Sequence, residues 1–218
     1  INNGSGYNSI PVVNVMGNSY QGVNTRNRIV AVMYENIYDS VEINNYDNAT
    51  FYDYDVHGNV KQLVQVNNDE VLKELNHHIK HFEYEYDLVS GNVLNVIYQK
   101  GYQDQYIHRY QYDADNRITI AETSKDGVIY EKDAKYFYYD HGPLARTEIG
   151  EKKVQASDYA YTIQGWLKTV NGEHVSQSTM MGHDGEATTQ NYMNGRDAFG
   201  FSLYYFNGDY EAAEDEML

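Results

Sequence analysis

The sequence predicts an all-β protein built from repeated antiparallel hairpins. Three observations support this fold class. A Tyr-Asp motif recurs along the chain, tyrosine is unusually abundant at 24 residues, and only 2 of the 218 residues are proline. Amphipathic tyrosine rings suit half-buried strands, and a chain in continuous strands avoids proline because proline cannot donate to the ladder. A regular repeat of this kind sets the architecture of the whole chain.

In every copy of the motif but the fourth, two tyrosines are separated by one residue, whereas the fourth has the adjacent pair Tyr138 and Tyr139. Side chains alternate along a strand, so the two rings of a separated pair lie on one face. The second tyrosine of each copy falls 22 to 32 residues after the one before it, at the five positions Tyr54, Tyr86, Tyr112, Tyr139 and Tyr161. The motif therefore predicts five hairpins that follow one another along the chain.

The residues after each tyrosine pair predict a tight turn. An aspartate comes first in four copies, and its carboxylate can accept hydrogen bonds from the backbone of the turn. Thr162 replaces it in the fifth copy. A glycine or asparagine then provides the positive φ that a turn requires. These turn positions are Asp55, Asp87, Asp113 and Asp140, followed by Gly58, Gly91, Asn116, Gly142 and Gly165.

This pattern resembles the tyrosine-aspartate (YD) repeat of the RHS family, which includes bacterial RHS proteins, the C components of insecticidal toxin complexes and the teneurins. The resemblance covers about residues 51–171. Stretches 57–60, 161–168 (with Trp166) and 199–203 look like RHS-type surface proteins of the Bacteroidetes. In this family the hairpins join into a long sheet that spirals into a hollow shell. The resemblance implies the same architecture here, with the motif residues and Trp166 in structural roles.

The chain divides into three regions. Residues 1–50 are predicted to be lead-in strands and loops, with strands at 28–34 and 36–43, and the first of these is apolar enough to be central. Residues 51–171 form the repeat region. Residues 172–218 are predicted to be loop, a final strand at 199–205 and an acidic tail. The sequence begins at Ile1 rather than methionine, so we expect an excerpt of a larger protein.

One segment interrupts the β pattern. Val71, Leu72, Leu75 and Ile79 recur at helical spacing. Acidic residues precede them and histidines follow, which matches the helix dipole at both ends. The sequence predicts a short helix of about three turns over residues 69–81, inserted in the first repeat.

Composition excludes several classes of function. The net charge is −16, so a nucleic-acid partner is not expected, because phosphate binding requires a basic face. There is no cysteine and no long apolar run, so neither disulfides nor a membrane span are predicted. The acidic charge favours solubility and a secreted or bacterial cell-surface location.

The candidate catalytic and metal-binding residues are weak. His77 and His81 stand four residues apart on the predicted helix, as in some zinc sites, but no third ligand is evident. A glycosidase needs two carboxylates that face each other across a cleft. The repeated aspartates instead recur in register, as a turn-forming role requires. We therefore predict no catalytic residue, no metal and no cofactor.

The sequence favours a structural role. The first hypothesis is a section of an RHS-type β-shell that encloses, carries or presents another polypeptide, such as a toxin or a partner subunit. The second is an adhesion module that binds glycans or proteins through tyrosine-rich faces, with Trp166 as the best single candidate for sugar stacking. An enzyme of the glycosidase type is the third. At the sheet edges we expect either other parts of the same large chain or a separate subunit.

Overall fold

The computed structural model describes residues 12–15, 18–21, 24–34, 46–173, 180–206 and 208. It confirms the prediction of an all-β fold. Strands β1 (Val12–Val15) and β2 (Asn18–Gln21) form a two-stranded antiparallel sheet of their own. The remaining strands of the described residues form one antiparallel sheet, and they are hydrogen-bonded in the order in which they follow along the chain.

This sheet contains twelve strands, and each sequence-adjacent pair also lies adjacent in the sheet. The strand bounds are β3 (Ala31–Tyr34), β4 (Asn48–Tyr54), β5 (Val60–Asn67), β6 (Ile79–Tyr86), β7 (Val93–Tyr98), β8 (Tyr106–Tyr112), β9 (Ile118–Ser124), β10 (Glu131–Tyr138), β11 (Leu144–Ile149), β12 (Gln155–Tyr161), β13 (Leu167–Val170) and β14 (Phe201–Ser202).

Two compact units divide the chain. The first comprises Ile1–Arg109 with Ser124–Ile129, and the second comprises Tyr110–Thr123 with Tyr130–Leu218. The core of the first unit lies on β4 and β5, where Ala49, Phe51, Val64 and Val66 are buried. Phe51 opposes Val64 and Ala49 opposes Val66 in the ladder, so alternate residues of the two strands share one apolar face.

The helix predicted over residues 69–81 is present but much shorter. Helix α1 spans Glu70–Glu74, and the carboxylate of Asp69 caps it by accepting hydrogen bonds from the N–H groups of Val71 and Leu72 at 2.9 and 3.2 Å. The residues after it do not continue the helix, because Ile79 pairs with Val66 at the start of β6 and packs against the apolar core. Ladder hydrogen bonds and burial of Ile79 thus prevail over the helical spacing of the sequence.

The predicted strand 28–34 is also shorter, at Ala31–Tyr34, and within the described residues it does not have the predicted central position. Among the described residues it stands at one end of the strand order, and the Tyr34 side chain is exposed. The predicted final strand 199–205 is reduced to Phe201–Ser202 at the other end. The predicted strand 36–43 and the acidic tail lie outside the described residues. Within those residues, no helix is both long and apolar enough to cross a membrane.

In the second unit, residues 180–200 are irregular but firmly attached. Asn171, fully buried at φ 58°, joins this segment to the sheet. Its side chain accepts a hydrogen bond from the N–H of Asp158 at 2.8 Å and donates one to the carbonyl of Phe199 at 3.0 Å. Segment 180–200 therefore packs onto strands β11 and β12 although it contains no strand of its own.

Candidate functional site

The repeat motif builds its turn around one carboxylate. Asp55 Oδ1 accepts hydrogen bonds from the N–H groups of His57, Gly58 and Asn59 at 2.7 to 2.9 Å. Burial raises the pKa of Asp55, but the hydrogen bonds from Asn59, Gly58 and His57 outweigh it and hold the pKa below its ordinary value. Gly58 has φ +98°, where any other residue would be strained, and a Cβ there would also displace the end of the Arg28 side chain.

The second and third copies repeat this arrangement. Asp87 accepts from the N–H and the hydroxyl of Ser90, both at 2.7 Å, and Asp113 accepts from the N–H of Arg117 at 2.9 Å. The Ser90 and Arg117 hydrogen bonds lower the pKa of these two aspartates. In the fifth copy the Thr162 hydroxyl accepts from the N–H of Trp166 at 3.1 Å. The later turn positions all have positive φ: Gly91 75°, Asn116 62°, Gly142 117° and Gly165 83°.

The fourth copy has a different register from the one predicted. Tyr139 N–H donates to the carbonyl of Pro143 and Gly142 N–H donates to the carbonyl of Tyr139, both at 2.9 Å. In the first copy Asp55 makes the equivalent two backbone bonds. Tyr139 therefore occupies the aspartate position, and Asp140 lies one residue further on as an exposed residue. Tyr138, rather than Tyr139, corresponds to Tyr54.

With that shift, the repeat tyrosine is the last residue of its strand in all five copies: Tyr54, Tyr86, Tyr112, Tyr138 and Tyr161. The hydroxyls of Tyr54, Tyr86 and Tyr138 donate to a backbone carbonyl at or just before the beginning of a neighbouring strand. Tyr54 bonds Ile29 at 2.7 Å, Tyr86 bonds Val60 at 2.8 Å and Tyr138 bonds Ile118 at 2.8 Å. We call these bonds the tyrosine contacts. Each one fastens a hairpin to the part of the chain that precedes it.

A further tyrosine contact extends the repeat beyond the motif that the sequence revealed. The Tyr205 hydroxyl donates to the carbonyl of Leu167, the first residue of β13, at 2.8 Å, and Gly208 follows with φ +89°. The Tyr205 ring also lies against Trp166, with ring centroids 5.2 Å apart. Sequence analysis missed this copy because Phe206 stands in the aspartate position. The usable signal was a tyrosine pair followed by a glycine three residues later.

A buried charge cluster is the second unusual feature, and no sequence pattern predicted it. It consists of Arg146 and Glu148 on β11, Asp158 on β12, and Asp184 and Asp197 from segment 180–200, all of them buried. Arg146 lies directly opposite Asp158 in the ladder. Its two terminal nitrogens donate to Asp158 and Asp184, and its Nε lies 3.5 Å from Glu148 Oε1. One guanidinium thus holds carboxylates from three parts of the chain.

The electrostatics of this cluster differ from one carboxylate to the next. Burial raises the pKa of Asp158 despite the bond to Arg146. Burial also acts on Glu148, but Asn194, Lys153 and Arg146 outweigh it and lower that pKa. Burial, followed by the charges of Asp184 and Asp158, raises the pKa of Asp197 to about 6. The cluster thus contains one acid that titrates near neutrality.

The remaining candidates do not assemble into a reactive site. His81 lies in β6 with its ring stacked on Tyr102 at 6.2 Å, whereas His77 is exposed outside the helix. In the part of the chain that the structure describes, no three His, Asp or Glu side chains form a group that could hold a metal ion. The carboxylates of Asp55, Asp87 and Asp113 are engaged by turn backbone rather than facing one another across a cleft.

Fold and site together define an all-β repeat protein whose successive hairpins are fastened by tyrosine hydroxyls. No family model matches the chain, and no curated protein matches it. Among solved structures it is similar to the crystal structures of TcdB2-TccC3-Cdc42 and of TcdB2-TccC3 without the hypervariable C-terminal region. Each comparison gives 16% identity and a TM-score of 0.45, and covers 57% of this chain. The chain spans only 6% of the length of the matched chains.

Proposed function

We propose that this chain is a non-catalytic section of a secreted or cell-surface RHS-type β-shell that encloses, carries or presents another polypeptide. The observation that carries the proposal is the series of tyrosine contacts. Each contact uses a motif residue to fasten one hairpin to the chain before it, so the motif extends the sheet. Repeat arrays of this kind bury each unit against its neighbours and form extended surfaces around or beside a partner.

The chemistry of the motif residues supports a structural role. The turn aspartates have pKa values held low by hydrogen bonds from turn backbone and neighbouring side chains, which is the reverse of what a general acid at neutral pH requires. The tyrosines Tyr86, Tyr138 and Tyr161 have pKa values raised by burial, so their hydroxyls remain protonated donors. These groups are suited to holding backbone, not to turning over a substrate.

The ends of the strand order provide the test. A free strand edge pairs with other strands, and strands β3 and β14 end the order within the described residues. Sedimentation velocity on the 218-residue chain should therefore show self-association that increases with concentration. A lysine on an edge strand blocks such pairing. Met33→Lys on β3 should reduce the association, whereas Val128→Lys, at an 80% exposed loop position, should not.

A stable monomer at all concentrations would mean that this chain protects its own edges, and the shell proposal would then be withdrawn. If self-association is unchanged in Met33→Lys, the contact between copies does not involve β3. The same measurement on a longer natural chain that contains these residues should show no such association, since the neighbouring repeats would then cover both edges.

A second candidate, adhesion through aromatic side chains, is favoured by one specific group. Trp166, Tyr205 and Phe206 are exposed by 48%, 41% and 64%, and the first two rings lie against each other. Exposed aromatic rings of this kind can bind the faces of sugars. Glycan-array binding that disappears in Trp166→Ala, but persists in Ile163→Ala at a fully exposed turn position, would favour adhesion over the shell.

A further inference from the structure

Asp197 is a buried acid that no counter-charge contacts through a hydrogen bond. Its carboxyl is more than nine-tenths buried, and neither of its oxygens has a hydrogen-bond partner among the described residues. Ionised carboxylates in such surroundings need a cation or several donors. An ionised Asp197 would therefore need a nearby cation that is not already paired with another carboxylate.

The cations of the cluster are already engaged. Arg146 donates its terminal nitrogens to Asp158 and Asp184, and Lys153 Nζ lies 3.3 Å from Glu148 Oε2. Arg196, the residue before Asp197, is exposed. Asp197 therefore lies near Asp158 and Asp184, and the nearby Arg146 donates its terminal nitrogens to those two carboxylates and not to Asp197. Protonation of Asp197 removes a buried negative charge that no hydrogen bond stabilises.

The position of Asp197 in the chain gives its titration a mechanical consequence. On one side, Gly195 N–H donates to the carbonyl of Lys153 at 3.3 Å. On the other, the carbonyl of Phe199 accepts from the Asn171 side chain at 3.0 Å. Asp197 lies between these two attachments of segment 180–200, and strand β14 begins at Phe201. Asp197 is thus two residues from each attachment and four residues from the first residue of the last strand of the described sheet.

We propose that the protonation state of Asp197 controls how firmly segment 180–200 is held on strands β11 and β12. With Asp197 neutral, the segment stays attached and β14 remains paired with β13. With Asp197 ionised, the buried negative charge favours opening of the segment, which exposes the edge of β13. The device makes this end of the sheet more open at neutral pH than at mildly acidic pH, and it does not depend on the shell proposal.

The direction follows from linkage. The pKa of Asp197 in the folded chain, about 6, lies above its ordinary value of 3.8, so the attached state binds the proton more tightly than the open state. The stabilisation that this provides is complete below the ordinary pKa of 3.8, and it is lost as the pH rises from there to about 6. A difference of about two pKa units corresponds to a roughly hundredfold change in the opening equilibrium.

Hydrogen exchange of the amides from Gly195 to Leu203 tests this directly, after correction for intrinsic exchange rates. In the unmodified chain, protection should fall by about tenfold between about pH 5 and pH 8, and the rest of the roughly hundredfold change lies below pH 5. Asp197→Asn, which has the shape of the protonated acid, should keep the protection high and nearly independent of pH. Asp140→Asn, at an exposed turn position, should behave as the unmodified chain.

The proposal is wrong if Asp197→Asn loses protection with rising pH as steeply as the unmodified chain, or if the unmodified chain shows no loss. A carboxyl NMR titration of the unmodified chain gives an independent answer that needs no variant. A midpoint for Asp197 near 6 supports the proposal, and a midpoint below about 4, the ordinary range of aspartate, overturns it.

Discussion

The two units place opposite chemistry on the same kind of strand pair. In the first, Ala49 and Phe51 on β4 face Val66 and Val64 on β5. In the second, Arg146 and Glu148 on β11 face Asp158 and Ala156 on β12. Both arrangements bury alternate residues of two antiparallel neighbours. The apolar pair gains from burial directly, whereas the charged pair must first lose its hydration, so its stability depends on complete pairing.

This difference has a physical consequence for how each face responds to change. An apolar face loses stability in proportion to the atoms removed, and it is indifferent to pH. A buried charge cluster loses most when one partner is removed, because the remaining charges have no compensation. It also couples packing to proton binding. The first unit is thus stabilised by apolar packing, and the second by the pairing of buried charges.

The largest expected effect is from Arg146→Ala. The change leaves Asp158 and Asp184 buried without their cation, and we expect a loss of about 3–5 kcal/mol in the free energy of unfolding of the second unit. The loss should be greater at pH 8 than at pH 5, because burial raises the pKa of Asp158 and its protonation in acid removes part of the uncompensated charge. Urea denaturation at both pH values measures this, with the exposed Arg196→Ala as control. Equal losses at the two pH values would contradict the charge-balance description.

Phe51→Ala provides the counterpart in the apolar unit. Phe51 is fully buried at the centre of its cluster, so its truncation should cost about 3–5 kcal/mol through lost burial and a cavity. Here the loss should be the same at pH 5 and pH 8. Parallel urea denaturation with Leu88→Ala, at an 84% exposed turn position, serves as the control. A pH-dependent loss at Phe51 would remove the contrast between the two units.

Tyr86→Phe should have a smaller effect. It deletes only the hydroxyl that donates to the carbonyl of Val60, while the ring remains. The expected cost is about 1 kcal/mol, the usual net value of one hydrogen bond, seen as a lower midpoint in thermal unfolding. Tyr102→Phe, at a 58% exposed loop position, is the matched control. If both variants melt alike, the tyrosine contacts do not stabilise the array.

The smallest effect is expected from the turns. Asp55→Ala should lower the melting temperature slightly, whereas Asp140→Ala should leave it unchanged because Asp140 lies outside the aspartate position. Since the pKa of Asp55 is held below its ordinary value, its contribution is present at neutral pH and is lost as the pH falls through that lowered pKa. The difference between the two variants should therefore vanish in strong acid. A larger effect from Asp140→Ala would restore the register that the sequence predicted.

The hairpins could be predicted from the sequence because turn chemistry is local. Asp55 and Gly58 lie within four residues of each other, so the residue types and their spacing are enough to predict the hydrogen bonds that form the turn. The same locality explains the error in the fourth copy. Tyr138 and Tyr139 are adjacent and chemically identical, and only the backbone bonds to Pro143 and Gly142 distinguish their roles.

The charge cluster could not be predicted, because its members are distant in the sequence. Arg146 and Asp184 are separated by 38 residues and come together only when segment 180–200 packs on the sheet. Polar residues at alternate strand positions normally predict a solvent-facing surface. The helix was overestimated for a related reason. Its last residues have helical spacing, but Ile79 finds a partner on β5 that no local pattern contains.

The tyrosine contacts also fix where each hairpin attaches to the chain before it, whatever the length of the loop between them. The hydroxyl-to-carbonyl distance is 2.8 Å for Tyr86, Tyr138 and Tyr205, although these residues follow their acceptors by 26, 20 and 38 positions. The first of these intervals contains helix α1 and the last contains the charge-bearing segment. Residues can thus be inserted in a loop without disturbing the hairpin that follows it. A chain built in this way can gain insertions in its loops, one at a time, while the spacing between its hairpins stays the same.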